Sequence, residues 1–159
     1  MLKPDVCLTS ILEIDINILK KMEVIAIILD VDNTIRFPKK GKLLEGVLCW
    51  VKNLKKFGFK IIIASNNFRK NIEPIANFLN LPFISLSFKP FPFGLKKAAK
   101  KLNVNKKQVV VVGDQLFTDV IGGKIQGFKT ILVDPLKFEK GFFWKIRRKL
   151  EKIILNRIL

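Results

Sequence analysis

The chain has 159 residues, 30 of them basic and 13 acidic, for a formal charge of +17, and it contains no histidine. That length fits one domain with an ordinary hydrophobic core. The missing histidine excludes Ser-His-Asp and Cys-His catalysis and any His-ligated zinc, while two distant cysteines, Cys7 and Cys49, make neither a metal-ligand spacing nor a disulfide framework.

Both cysteines stand among apolar residues, so buried free thiols in a reducing cytoplasm are expected. Residues 1–29 open with a single lysine, and Asp5, Glu13 and Asp15 interrupt any apolar core, so no secretory signal is expected. The longest apolar run, Val24 to Leu29, is too short to cross a bilayer. The expectation is a soluble protein, or one lying on a membrane surface. Charge is uneven: residues 1–80 hold 13 basic and 8 acidic residues (net +5), and residues 81–159 hold 17 and 5 (net +12). Such a surface attracts nucleic acid, anionic lipid or a phosphorylated substrate. The abundance of Lys, Ile, Asn and Phe equally fits biased codon usage.

In chain order, residues 1–22 read as an N-terminal extension. Val24–Leu29 is a continuous apolar run ending at Asp30, the pattern of a buried strand. Leu43–Phe57 has apolar residues at helical spacing and stops at Gly58. Lys60–Ala64 is a second strand, Asn71–Leu79 a short helix with Pro74 in its first turn, and Pro82–Ser85 a third strand. Phe93–Leu102 is a helix, Gln108–Val112 a strand of four valines after its glutamine, and Phe117–Gln126 a helix closed by Gly127. Thr130–Val133 is a fifth strand, and Phe142–Leu159 a final helix. Alternating helices and non-alternating apolar strands predict one α/β domain over 1–159, with a central parallel sheet of about five strands covered on both faces.

Ligands in such folds bind beyond the carboxyl ends of the strands. The predicted strands deliver Asp30-Val31-Asp32-Asn33-Thr34, Ser65-Asn66-Asn67, Lys89-Pro90, and Gly113-Asp114-Gln115 with Asp119 to that one edge. Four of the thirteen acids therefore converge. Like-charged carboxylates held together need a cation or a shifted pKa, and oxygen ligands of this kind suit Mg²⁺. Singly, each cluster also reads as a helix cap, a turn or a solvated lysine. Together, in order and each at a strand end, they converge on one edge of one sheet.

That set resembles the haloacid dehalogenase superfamily. Asp30-Val31-Asp32-Asn33-Thr34 is similar to its D-x-D-x-T motif, and Ser65, Lys89 and Gly113-Asp114 with Asp119 are similar to its later motifs. The stretches L-D-V-D-N-T-I, S-N-N, K-P and V-G-D-Q-L-F-T-D-V-I-G-G, with a late G-F-F, resemble the YqeG-type branch of subfamily IIIA, which includes phosphatidylglycerophosphate phosphatases. The resemblance covers essentially the whole chain. It implies a Rossmannoid three-layer sandwich without a large cap and a Mg²⁺-dependent phosphomonoester hydrolase working through an aspartyl-phosphate. Asp30 is then the nucleophile and Asp32 the general acid and base. Asp30 and Asp114 bind metal through carboxylates, and Asp32 through its backbone carbonyl. Ser65 and Lys89 bind the phosphoryl group, Asn66 either touches substrate or braces its loop, Thr34 braces the first loop, and Asp119 holds a metal-bound water or Lys89.

Only one helix fits between Asp32 and Ser65, and one helix with a strand between Ser65 and Lys89, so the site should lie open to a large substrate. Phe88–Phe93 adds three phenylalanines beside Lys89, either a membrane-facing rim or core. Residues 142–159 form a basic amphipathic helix that either docks on the domain or lies on an anionic membrane as a peripheral anchor. The preferred substrate by resemblance is phosphatidylglycerophosphate. The alternatives are a phosphatase of nucleotides or nucleic-acid ends, and a non-catalytic RNA- or ribosome-associated protein.

Overall fold

The computed structural model describes residues 3–38, 41–137, 149, 151–153 and 156–157. Six parallel strands form one sheet: β1 (Val6–Leu8), β2 (Ala26–Leu29), β3 (Lys60–Ala64), β4 (Phe83–Ile84), β5 (Val109–Gly113) and β6 (Lys129–Val133). Their order across the sheet is β1-β6-β5-β2-β3-β4. Every residue of β2 and β5 is buried, as expected of Ala-Ile-Ile-Leu and Val-Val-Val-Val-Gly runs covered on both faces. Successive residues alternate between two cores. Ile27, Leu29, Ile61, Ile63, Val110 and Val112 pack against α1 (Ile16–Lys21), α2 (Val47–Lys56) and α3 (Arg69–Leu79). Ala26, Ile28, Ile62, Val109 and Val111 pack against α4 (Pro92–Leu102), with Phe128 closing that layer. The short helix α5 (Ile121–Ile125) lies on the same side. A Cβ on Gly123 would lie 2.8 Å from Thr130 Cγ2 and one on Gly122 3.2 Å from Leu95 Cδ1, so the Gly-Gly pair lets α5 approach the sheet and α4 closely.

The helix predicted over Leu43–Phe57 begins at Val47. Gly46 is left-handed (φ 92°), and Leu44 before it donates its N–H to Ile35 O instead (2.8 Å). The expected single helix over Phe117–Gln126 is a wide π turn over Leu116–Val120 followed by α5. The sixth strand comes from the stretch read as an extension. β1 is three residues long and pairs with β6 in the register Val6–Ile131 to Leu8–Val133. Asp5 anchors it, accepting from Thr130 N at 2.7 Å and from Lys124 Nζ at 2.6 Å. The expectation of buried thiols is corrected: Cys7 and Cys49 are both exposed, Cys7 on the edge strand and Cys49 on the outer face of α2. An apolar neighbourhood in sequence says little about burial when the residue points off an amphipathic helix. The predicted C-terminal helix 142–159 lies for the most part outside the described residues. Among those described, no helix is long and apolar enough to cross a membrane.

The chain leaves β2 for β3 on one side and later fills β5 and β6 on the other. The switch point of the topology therefore lies between β2 and β5, the place beyond the strand ends where sheets of this kind bind their ligands. Asp30 follows β2 and Asp114 follows β5, so both fall at that switch point.

Candidate active site

The β2 and β5 pairing carries the first two carboxylates into place. Leu29 is level with Val112, and Asp30 extends the ladder by donating its N–H to Val112 O at 2.9 Å. The chain then turns sharply, with Thr34, Ile35 and Arg36 all donating to Val31 O. This turn brings the Thr34 hydroxyl within 3.2 Å of Asp30 Oδ2 and 3.3 Å of Asp114 Oδ1, bracing both carboxylates. Asn33, at φ 65°, accepts from Leu136 N on its carbonyl and from Lys137 N on its side chain, both at 2.9 Å. The loop after β6 is thereby tied to the loop that carries Asp32.

Lys89 lies at the centre of the charge arrangement and is 5% exposed. Its Nζ is 2.7 Å from Asp30 Oδ1 and 2.6 Å from Asp119 Oδ1. Asp119 reaches it because the π turn swings its side chain back towards Gly113, and its second oxygen accepts from Gln115 N at 3.2 Å. Only glycine fits at 113, where a Cβ would meet Asp119 Cγ at 2.2 Å. Such a π turn inside a helix is a frequent functional-site feature.

Asp30, Asp114 and Asp119 each place a carboxylate oxygen within 4.8 Å of the others, and all three residues are buried. Burial is the main influence on Asp30. It pushes the carboxyl up to about 6, with Lys89 pulling it down and Asp119 and Asp32 adding to the rise. Burial alone would lower Lys89, but Asp119 and Asp30 outweigh it and hold the amine above its ordinary range. Among the described residues, Lys89 is the cation set against Asp30 and Asp119. A cluster of hard oxygen donors without sulfur or nitrogen ligands fits Mg²⁺.

The β3 and β4 side supplies the other half. Ser65 N donates to Ile84 O (3.0 Å), and its buried hydroxyl accepts from Asn67 N (3.1 Å) just beyond the end of β3. Asn66, expected at the phosphate, commits its whole amide to the Lys89 loop. Its Oδ1 accepts from Lys89 N at 2.8 Å and Ser87 Oγ at 2.9 Å, and its Nδ2 donates to Lys89 O at 3.0 Å. Of the two roles open to it in the sequence, the contacts are those of the loop brace. The Asp32 carboxylate stays apart from the acid cluster. Arg36 binds it through Nε (2.9 Å) and Nη2, and Asn67 Nδ2 through the other oxygen (3.0 Å), leaving it 43% exposed at the rim. Arg36 was not legible as a site residue. Its spacing of four from Asp32 suggests pairing only on a helix, and this segment is a turn.

The family model described as "Hydrolase: haloacid dehalogenase-like hydrolase" matches residues 11–127. The chain is 34% identical to the "Probable phosphatase YqeG" of Bacillus subtilis, across 96% of this chain and 89% of that protein. It is 24% identical to an Arabidopsis thaliana "Phosphatidylglycerophosphate phosphatase 1, chloroplastic/mitochondrial", across 98% of this chain but 48% of the plant protein. Among solved structures, the 3-deoxy-D-manno-octulosonate 8-phosphate phosphatase of Moraxella catarrhalis, in complex with magnesium and phosphate ions, superposes with a TM-score of 0.50. That match has 19% identity and covers 63% of each chain.

Proposed function

The chain belongs to the haloacid dehalogenase-like hydrolases and is a phosphatase, and from that premise we propose that it hydrolyses the phosphomonoester of phosphatidylglycerophosphate through an aspartyl-phosphate at Asp30. The observation that carries the reading is the buried Asp30 carboxylate, braced by Thr34 and paired with Lys89 within the cluster it forms with Asp114 and Asp119.

Asp30 attacks phosphorus, the P–O bond to the alcohol breaks, and the departing alkoxide takes a proton from Asp32. Asp32 then removes a proton from water, which attacks the acyl phosphate, releases inorganic phosphate and regenerates Asp30. Lys89 offsets negative charge on the phosphoryl oxygens, and the Ser65 hydroxyl donates to one of them. Asp30, Asp114 and the Asp32 backbone carbonyl would hold Mg²⁺, which supplies Lewis-acid stabilisation of the transferring group. Asp119 keeps Lys89 aimed, and Arg36 with Asn67 holds the Asp32 side chain at the rim.

The lipid substrate is supported by the similarity to the plant phosphatase and by the site's surroundings. A single helix, α2, stands between Asp32 and Ser65, so among the described residues no lid covers the site. A panel of phosphatidylglycerophosphate in vesicles, soluble glycerol phosphates, nucleotides and 5′-phosphorylated RNA, assayed by Mg²⁺-dependent phosphate release, tests the choice. Faster turnover of the lipid supports the reading. Faster turnover of nucleotides or RNA ends replaces it with the nucleic-acid alternative.

A further inference from the structure

Three phenylalanines stand immediately beside the buried Lys89. Phe88, Phe91 and Phe93 are 60%, 64% and 74% exposed, and together they line an apolar cleft of their own. Nearby, Phe68 and Leu86 are exposed as well, and Leu86 N donates to Asn67 O, joining the two loops. Single exposed apolar residues are ordinary, but a cluster of rings at the mouth of a site marks a contact surface.

The surrounding charge states what kind of surface it meets. From Pro74 to Gly113 the chain has seven lysines and no acidic residue. Four of them, Lys96, Lys97, Lys100 and Lys101, are exposed on α4, and none pairs with a carboxylate among the described residues. Phe93 stands at the start of α4. Lys96 and Lys97 follow it by three and four residues on the same helical face, about 5 Å back along the axis, and Lys100 and Lys101 lie a further turn behind. Lys97 and Lys101 share a polar groove with Arg69, which follows Phe68. Apolar rings at the tip with cations one turn behind form the layering of an anionic bilayer, acyl region inside and headgroups outside.

The rim is also held rigidly. Leu86 and Phe88 both adopt left-handed backbone conformations (φ 47° and 54°), uncommon for bulky residues. Ser87 between them is clamped, its N–H on Ser65 O (2.9 Å) and its hydroxyl on Asn66. Gly94 lets α4 close onto this segment, since a Cβ there would lie 2.3 Å from Ser87 O. The backbone that exposes Phe88 is thus the one that buries Lys89.

We propose that Phe88, Phe91 and Phe93, backed by the lysines of α4, dock the mouth of the active site directly on an anionic lipid bilayer. The purpose of that contact rests on the lipid-substrate reading above, but its test does not. Cosedimentation with vesicles of phosphatidylglycerol and phosphatidylcholine, against vesicles of phosphatidylcholine alone, measures binding. Turnover of a soluble aryl phosphate by the same samples reports an intact site. The wild type should prefer the anionic vesicles. Phe91→Ser/Phe93→Ser and Lys96→Glu/Lys97→Glu should each weaken that binding by about tenfold or more, with aryl phosphate turnover unchanged. If the aromatic variant does not fold, the lysine variant on the exposed helix face decides. Undiminished vesicle binding in the folded variants overturns the proposal, as does a wild type with no preference for anionic vesicles. It is equally overturned if the substitutions abolish only self-association or only binding to a short single-stranded RNA. A failed lipid-substrate assay with intact docking would remove the substrate reading and leave the surface.

Discussion

Phe88 and Lys89 are adjacent in the chain and opposite in environment. The aromatic ring is largely in solvent, whereas the ammonium group is buried between two carboxylates. The usual partition of apolar inside and charged outside is reversed within two residues. Each half of the reversal has its own physical basis. The charge is tolerated because Asp30 and Asp119 are as close as ion pairs allow, and such a group is costly only when its partners are removed. The rings are tolerated because they are few and surrounded by lysines, which keeps the surface from self-association by charge repulsion. The ionic centre is therefore the part whose disruption should be expensive, and the aromatic rim the part that can change without loss of the fold.

The largest effect on stability should come from Lys89→Met. It leaves Asp30 and Asp119 buried without their cation and should cost about 3–5 kcal/mol in metal-free urea unfolding. A loss below 1 kcal/mol would mean the pair is not buried as described. Gly113→Ala comes next. Its Cβ would displace Asp119, and with it the aim of Lys89, so kcat should fall about a hundredfold. A third outcome follows from Asp30, whose carboxyl is raised from an ordinary value of 3.8 to about 6 chiefly by burial. In the absence of metal, the stability that goes with a neutral Asp30 is fully present below pH 4 and is lost as pH rises through 6. Relative to Asp30→Asn, the wild-type melting temperature in EDTA should therefore fall across that window. Added Mg²⁺ should raise the melting temperature above pH 6 and do little below pH 4; equal shifts at both would contradict the site's electrostatics. At the small end, Phe93→Ser should change stability by no more than about 0.5 kcal/mol, because its ring is already in solvent. A larger loss would place that ring in the core.

Much of this comparison was legible in the sequence, for reasons that differ by element. The strands β2, β3 and β5 announced themselves as unbroken runs of branched apolar residues, and the polar residues that follow them had to fall on one edge. Short pieces were harder. β1 has three residues and depends on Asp5 reaching Thr130, a contact 125 positions away in sequence. The π turn that aims Asp119 has no periodic signature of its own, since it is fixed by Gly113 yielding space and by Gln115 N binding the carboxylate. Asn66 follows a strand end in a polar loop, a position that fits substrate contact and loop bracing equally, and only the fold brings its amide onto Ser87 and Lys89. The three phenylalanines were visible as a cluster, but their exposure is set by left-handed turns at Leu86 and Phe88 that no propensity favours.

Asp30 is the attacking group in the proposed mechanism. Phosphate release from a generic aryl phosphate, measured with and without Mg²⁺ for the wild type and Asp30→Asn, tests it most directly. The wild type should turn over only with the metal, and the variant should lose about four orders of magnitude or more while keeping its fold by circular dichroism. An Asp30→Asn protein as active as the wild type would contradict the mechanism at its centre.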